Sequence, residues 1–284
     1  MLIDVKQIVS NKEDEIRNKI LANNIKPKLA VILANNLESS KSYVLSKRKK
    51  AEALGILQEE YIYDKNVTED EIINKINELN SDDSVNGILV QLPLYEHLNE
   101  NNILNSVSSK KDVDGFTSSN LGSLINHDES VIPCTPKGIL MVLDGLKVNV
   151  EGKNVVILGR SKIVGRPLAE LMISRGATVT VCNSNTVNQE YYTKNADILI
   201  VAIGKSKYVT KDMVKENSIV IDVGINKESG KIVGDVDYEN IKNLVKYVTP
   251  VPGGVGITTV ISLMDNLVEL AIRNKEGGIL NEQS

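Results

Sequence analysis

The sequence predicts an α/β protein of two domains, each built on a parallel sheet, and three observations carry that reading. Short β-branched runs alternate with helical stretches along the chain, the pattern of repeated βαβ units. A loop-rich stretch from Pro93 to Pro136 separates two such series. A length of 284 residues gives each half enough chain to bury a core of its own.

The N-terminus, MLIDVKQIVSNKEDEIRNKI, reads as a charged amphipathic helix without the apolar centre of a signal peptide. Leu29–Leu33 reads as a strand and Ser40–Leu54 as a helix stopped by Gly55. Glu60–Tyr63 is a second strand and Glu69–Asn80 a second helix. Gly87–Gln91 is a third strand, apolar until its last residue, which suits a strand covered on both faces. Pro136-Lys137-Gly138 opens a helix through Leu143, and Gly145–Gly152 reads as a linker.

Val155–Leu158 starts the second half as a strand running directly into GRSKIVGRP, followed by a helix to Arg175-Gly176. Strands Thr178–Cys182, Ile198–Ala202 and Ile219–Asp222 come next. A Gly/Pro loop, TPVPGGVG, leads into a helix of about fifteen residues from Thr258, and the last ten residues read as a frayed tail. The expected domains are 1–138 and 139–257, with the helix from 258 to 284 returning to the first domain. Ligands are expected in a cleft between the domains, beyond the carboxyl ends of the strands.

Composition narrows the classes of function. With 42% hydrophobic and 25% charged residues, the chain has the profile of a soluble globular protein. A net charge of −4, no basic stripe, no Trp and a single Phe argue against nucleic acid as a partner. In the densest basic run, Arg48, Lys49 and Lys50 read as a solvated helix face. No run of about 18 apolar residues stands out, so no membrane partner is expected. Cys134 and Cys182 form no metal-ligand spacing and read as reduced core thiols, which fits the cytoplasm. His97 and His127 lie in polar loop sequence, outside any Ser/His/Asp pattern, and read as structural or exposed.

Gly159-Arg160-Ser161-Lys162-Ile163-Val164-Gly165 sits between an apolar strand and a helix with Pro167 in its first turn. Glycines let a backbone approach a pyrophosphate, and a helix N-terminus offers N–H donors and partial positive charge. The spacing is G-x5-G, not G-x-G-x-x-G, so a tight strand-to-helix turn without a ligand fits as well. After the next strand, Asn183-Ser184-Asn185-Thr186 supplies none of the carboxylate that commonly holds the ribose 2′-hydroxyl of NAD. Arg160 can offer a planar cationic fork to a 2′-phosphate, which favours NADP over NAD.

Tyr43 and Lys47 are four apart on an expected helix and share a face. Gln91 ends a strand, and Asp112 and Asp114 lie in a KDVDGF loop. Singly, each has a plain structural reading. Together with their surroundings they form a set: S-x-x-Y-V-x-x-K (Ser40 to Lys47), VQLPL (90–94), KDVDGF (111–116), PCTPKG (133–138), GRSxIVGRP (159–167), DVGIN (222–226), GDVD (234–237) and TPVPGGVG (249–256). In this order and spacing the chain resembles the bifunctional methylenetetrahydrofolate dehydrogenase/methenyltetrahydrofolate cyclohydrolases over nearly its whole length.

The resemblance implies an N-terminal three-layer α/β folate-binding catalytic domain and a Rossmann-like NADP-binding domain. It implies NADP-dependent oxidation of 5,10-methylenetetrahydrofolate, then hydrolysis of the methenyl product to 10-formyltetrahydrofolate. Lys47 resembles the catalytic lysine, with Gln91 holding its amine and Tyr43 stacking on the aminobenzoate ring. Asp114 would bind the amino-pyrimidine edge of the pterin, and Ser40, Pro252, Gly253 and Gly254 would complete the substrate set. Gly159, Arg160, Ser161, Ile163, Val164, Gly165, Ser184, Gly204, Ile225 and Thr259 would hold the cofactor. By the same resemblance the protein is a cytoplasmic homodimer joined through its nucleotide domains, needs no metal, and supplies purine and formyl-methionine synthesis.

This chain departs from the family pattern at several positions. Asn183 and Asn185 stand where His and Arg or Lys are common, Tyr95 and Ile257 where Pro is usual, and Ile203 where Thr is common. Three alternatives predict other patterns. A dehydrogenase-only enzyme would lose Lys47 or Gln91, a silent NADP- or folate-binding protein Lys47, Gln91 or Asp114, and all three are present. A hydroxy-acid oxidoreductase would have no use for KDVDGF.

Overall fold

The computed structural model describes residues 4–126 and 131–282, the last six by backbone alone; His127 lies outside the described residues. The chain divides into two compact units, Asn11–Cys134 with Val260–Ser284, and Met1–Ser10 with Thr135–Thr259.

The first unit holds a three-stranded parallel sheet. Helix α1 (Val5–Ala22) leads into β1 (Lys28–Leu33), α2 (Glu38–Ala53), β2 (Leu57–Ile62), α3 (Glu69–Ser81) and β3 (Gly87–Gln91). The strand order is β2-β1-β3, so the apolar β1 is central and buried along Leu29–Leu33. Leu33 registers against Gln91, which brings the carboxyl ends of β1 and β3 side by side.

Strand β2 begins at Leu57, three residues before the expected start. Its LQEEYI sequence hides the strand because it is a half-exposed edge, with Glu59 paired to Lys28 and Glu60 to Arg48. Arg48 and Lys50 are therefore paired, to Glu60 and Glu13, and not simply solvated. Thr68 and Glu71 form a capping box that starts α3. At its other end Lys111 Nζ donates to the carbonyls of Leu79 (2.9 Å) and Asp82 (2.7 Å). The stretch read as loop contains α4 (Glu100–Ser106) and α5 (Ser118–Asn126), short helices whose Asn- and Ser-rich sequences resemble turns.

The second unit adds α6 (Cys134–Gly145), β4 (Asn154–Leu158), α7 (Gly165–Ser174), β5 (Thr178–Cys182), α8 (Gln189–Thr193), β6 (Ile198–Val201) and β7 (Ile219–Asp222). After these come a hairpin of β8 (Asn226–Glu228) and β9 (Lys231–Val233), α9 (Tyr238–Ile241) and β10 (Tyr247–Val248). The five-stranded sheet is parallel, in the order β10-β7-β6-β4-β5. β5 lies on one side of β4 and β6 on the other, so the winding reverses at β4, the switch point where doubly wound sheets bind ligands.

Helix α10 (Val255–Glu282) runs 28 residues, well past the expected length, and replaces the tail read from the sequence. Its Val255–Glu276 segment is long and apolar enough to cross a membrane by composition, contrary to the sequence reading. However, 72% of its most apolar window is buried inside the protein, which marks it as a core helix. Within the first unit Leu267 packs so closely on β3 that a Cβ at Gly87 would lie 2.7 Å from Leu267 Cδ1 and 2.2 Å from Val113 Cγ1.

Candidate active site

The chemistry-bearing residues of the first unit gather at the carboxyl end of its sheet. α2 leaves β1 and presents Ser40, Tyr43 and Lys47 at helical spacing, with Ser40 and Lys47 buried. Lys47 Nζ donates to Gln91 Oε1 at 2.9 Å and lies 5.4 Å from the centre of the Tyr43 ring. The amide nitrogen of Gln91 donates to the Leu92 carbonyl (2.8 Å), which fixes its oxygen toward the lysine.

Asp114 completes the cluster. Burial pushes the Lys47 amine down from its ordinary value, opposed by the charge of Asp114 and then of Cys134. Burial raises the Asp114 carboxyl, opposed by Lys47 and by a hydrogen bond from Cys134. Tyr43 is also raised, first by burial and then by Asp114. The site thus holds an amine and a carboxyl that support each other's charge against a poorly solvating surrounding.

The loop carrying Asp114 is tied from three sides. Asp112 accepts from the N–H groups of Gly115 (2.9 Å) and Thr117 (2.8 Å) and from Asn120 Nδ2 (2.9 Å), so this carboxylate shapes the turn. Cys134 Sγ donates to the Val113 carbonyl (3.3 Å). Asn266 Nδ2, on α10, donates to the carbonyls of Val113 and Ile132, both at 2.9 Å. Sequence reasoning missed Asn266 altogether; Cys134 is the buried free thiol it expected, and that thiol also touches the Asp114 loop. The PCTPKG motif was the only sign that this cysteine sits beside the chemistry.

A recess of about 1300 Å³ opens at the amino ends of the same strands, against Lys28, Leu57 and Asn86. It lies at the end of the sheet away from Gln91, so it is separate from this cluster.

In the second unit each strand's carboxyl end carries a candidate: Gly159 after β4, Ser184 after β5, Gly204 after β6, Ile225 after β7 and Pro252-Gly253-Gly254 after β10. Gly159 has φ +115°, and a Cβ there would lie 2.3 Å from the Ala202 carbonyl oxygen. A Cβ at Gly165 would lie 2.0 Å from the Gly159 oxygen, so only glycines allow this turn to fold on itself. Ser161 Oγ accepts from the Val164 N–H (3.1 Å) and holds the start of α7.

Arg160 and Ile163 are exposed, and Arg160 makes no ion pair among the described residues. Asn183 and Thr186 form a compact turn in which the Asn183 N–H donates to Thr186 Oγ1 (2.9 Å). No carboxylate side chain occurs in that turn. Thr259 Oγ1 donates to the Val255 carbonyl (3.0 Å) and meets Thr135 Oγ1 (3.2 Å), so it serves the start of α10.

Residues 3–114 match the family described as tetrahydrofolate dehydrogenase/cyclohydrolase, catalytic domain, and residues 133–275 match its NAD(P)-binding domain. The curated bifunctional protein FolD of Thermodesulfovibrio yellowstonii is 46% identical over 274 residues, covering 95% of this chain and 96% of that protein. The solved FolD methylenetetrahydrofolate dehydrogenase/cyclohydrolase of Campylobacter jejuni is similar at a TM-score of 0.93 and 46% identity, over 95% of this chain and 98% of its own. The Trypanosoma brucei methylenetetrahydrofolate dehydrogenase-cyclohydrolase, solved with NADP and an inhibitor, is similar at a TM-score of 0.91 and 31% identity, over 96% and 97%.

Proposed function

The chain belongs to the tetrahydrofolate dehydrogenase/cyclohydrolase family, and from that premise we infer which of its side chains carry each of two reactions. It oxidises 5,10-methylenetetrahydrofolate with NADP⁺ and hydrolyses the resulting methenyl cation to 10-formyltetrahydrofolate. The observation that carries the assignment of residues is the buried pair Lys47–Gln91, joined at 2.9 Å.

In the hydrolysis, water attacks the methenyl carbon and must lose a proton. Lys47, lowered by burial, supplies a neutral amine to take it, and Gln91 Oε1 aims that amine. The same proton returns to N5 as the carbon–N5 bond breaks, and the remaining hydroxyl proton leaves to solvent. Asp114 holds the aminopyrimidine edge through charge-assisted hydrogen bonds, and Tyr43 lies against the aminobenzoate ring. Ser40, Pro252, Gly253 and Gly254 line the substrate.

NADP, when bound, supplies the nicotinamide that accepts the hydride. The turn from Gly159 to Gly165 fits its pyrophosphate, because both glycines leave backbone where a Cβ would collide. Arg160, exposed beside a turn without carboxylates, would offer a planar cation to the 2′-phosphate. Ser161, Ile163, Val164, Ser184, Gly204, Ile225 and Thr259 complete the cofactor set, which together positions the nicotinamide for direct transfer.

The protein works as a cytoplasmic homodimer, and its product serves as a formyl donor for purine and formyl-methionine synthesis. Supporting the dimer, β5 is an edge strand with one unpaired side, and Val181 and Ile173 near it are exposed.

The deciding assay gives the purified protein methylenetetrahydrofolate with NADP⁺ or NAD⁺ and follows reduced dinucleotide and 10-formyltetrahydrofolate separately. Reduction with NADP⁺ accompanied by formyl product is expected. Reduction without formyl product would remove Lys47 and Gln91 from the chemistry.

A further inference from the structure

We propose that Asp235 is the positioning residue for the dinucleotide loop after β6, and that Asp222 is the strut holding Asp235 in place. The proposal rests on the reading above that Ile203–Lys205 faces the dinucleotide. Of the two motifs DVGIN and GDVD, only Ile225 has a part in either reaction as derived so far, and in the structure the aspartates of both form one brace.

Asp235 is fully buried. Its Oδ2 accepts from the backbone N–H groups of Ile203 (2.8 Å) and Gly204 (2.9 Å), and its Oδ1 from the Lys205 N–H (2.8 Å) and Asn226 Nδ2 (2.9 Å). Three consecutive backbone donors therefore converge on one side chain, a concavity of the kind that otherwise takes an anion. An amide in place of the carboxylate has only one acceptor oxygen and would turn an NH₂ toward further donors. The loop's N–H groups are thereby committed to Asp235 and not to a phosphate.

Asp222, at the end of β7, is also buried. Its Oδ1 accepts from the N–H groups of Gly224 and Asp235, and its Oδ2 from that of Val236, all at 3.0 Å. This carboxylate fixes the backbone from which the Asp235 side chain projects. The glycines of both motifs make room for the pair. A Cβ at Gly224 would lie 2.1 Å from the Asp235 carboxylate, and one at Gly234 1.8 Å from Asp222 Oδ2.

What the brace positions is the wall of the nucleotide turn. The Ala202 carbonyl, one residue before the first anchored N–H, lies where a Cβ on Gly159 would touch it. Gly204 stands at φ +65° with nothing within 4 Å of the place its Cβ would occupy, so the loop surface itself is open to a ligand. Releasing Ile203–Lys205 from Asp235 would let that surface shift against the turn that carries Arg160. The cyclohydrolase residues, which need no dinucleotide, would not be touched.

The test uses the full-length enzyme as wild type, Asp235→Asn, Asn226→Ala and Gly204→Val. Three quantities are read: the Kd for NADP⁺ by calorimetry, the KM for NADP⁺ in the dehydrogenase reaction, and turnover of methenyltetrahydrofolate without dinucleotide. Asp235→Asn is expected to raise Kd and KM for NADP⁺ by roughly tenfold or more, the scale of one lost hydrogen bond to a charged group. Hydrolysis should stay within about twofold of wild type. Asn226→Ala should move NADP⁺ affinity the same way by less.

If Gly204→Val weakens NADP⁺ binding and Asp235→Asn does not, the loop reading stands and the role of Asp235 is overturned. If neither changes binding, the loop is not at the dinucleotide and both readings fall. An equal loss of both activities in Asp235→Asn, with Asn226→Ala silent, would reduce Asp235 to a fold residue and overturn the proposal. Should Asp235→Asn fail to fold, an unchanged NADP⁺ affinity in Asn226→Ala overturns it and a weakened one sustains it.

Discussion

Lys47 Nζ donates to Gln91 Oε1 at 2.9 Å, and Gln91 in turn anchors its own amide on the neighbouring Leu92 carbonyl. The lysine has reached this site from α2 and the glutamine from β3, so the pair exists only because β1 and β3 are adjacent in register. Replacing Lys47 by Met keeps the length and removes the amine. Hydrolysis of methenyltetrahydrofolate is expected to fall by a factor of 10² or more, on the order of what a positioned proton-transfer group contributes. Wild-type hydrolysis by this variant would sink the assignment.

The pH profile of hydrolysis follows from the same group. Burial lowers the Lys47 pKa and the Asp114 charge raises it, so the neutral amine appears below the ordinary lysine range. Hydrolysis should rise with pH as the amine loses its proton. Removing the opposing charge with Asp114→Asn should move that rise to lower pH, while weakening substrate binding. A limb that stays in place or moves upward would contradict the coupling.

A different prediction concerns the turn after β4. Gly159→Ala meets both φ +115° and an oxygen 2.3 Å from the new Cβ. Dehydrogenase kcat/KM should drop by roughly tenfold or more, the effect of backbone strain of about 1–3 kcal/mol placed on a phosphate turn. Methenyltetrahydrofolate hydrolysis, measured beside it, should be retained. Loss of both in equal measure would place the effect in folding.

Asp222 gives a stability test. Burial lifts its carboxyl to about 6, against the ordinary 3.8, despite three backbone donors that work the other way. Because the native carboxyl keeps its proton to higher pH than the unfolded one, its stabilising contribution is complete below pH 3.8 and is lost as pH rises through about 6. The loss amounts to about 3 kcal/mol across that window. In urea titrations from pH 4 to 6, the stability of wild type relative to Asp222→Asn should therefore fall as pH rises. A constant difference would show that Asp222 does not titrate there.

Where the sequence was misleading, the cause is local. The edge strand β2 carries charged residues whose partners, Lys28 and Arg48, come from other elements, so its start at Leu57 reads as polar loop. α4 and α5 are short and rich in residues that also favour turns. Two-residue β10 is too short for any periodic pattern, and it forms only because β7 offers a partner.

What the sequence alone determined is everything set by near neighbours along the chain. The strands β1, β3, β4 and β6 follow from apolar runs, the shared face of Tyr43 and Lys47 from helical spacing, and the turn after β4 from glycines. Tertiary structure decided which distant groups meet. Asn266 reaches Val113 across 153 positions, and Asp235 gathers three N–H groups from a loop about 30 residues earlier. Buried donors must find acceptors wherever the packing brings them, and no spacing rule along the chain encodes that choice.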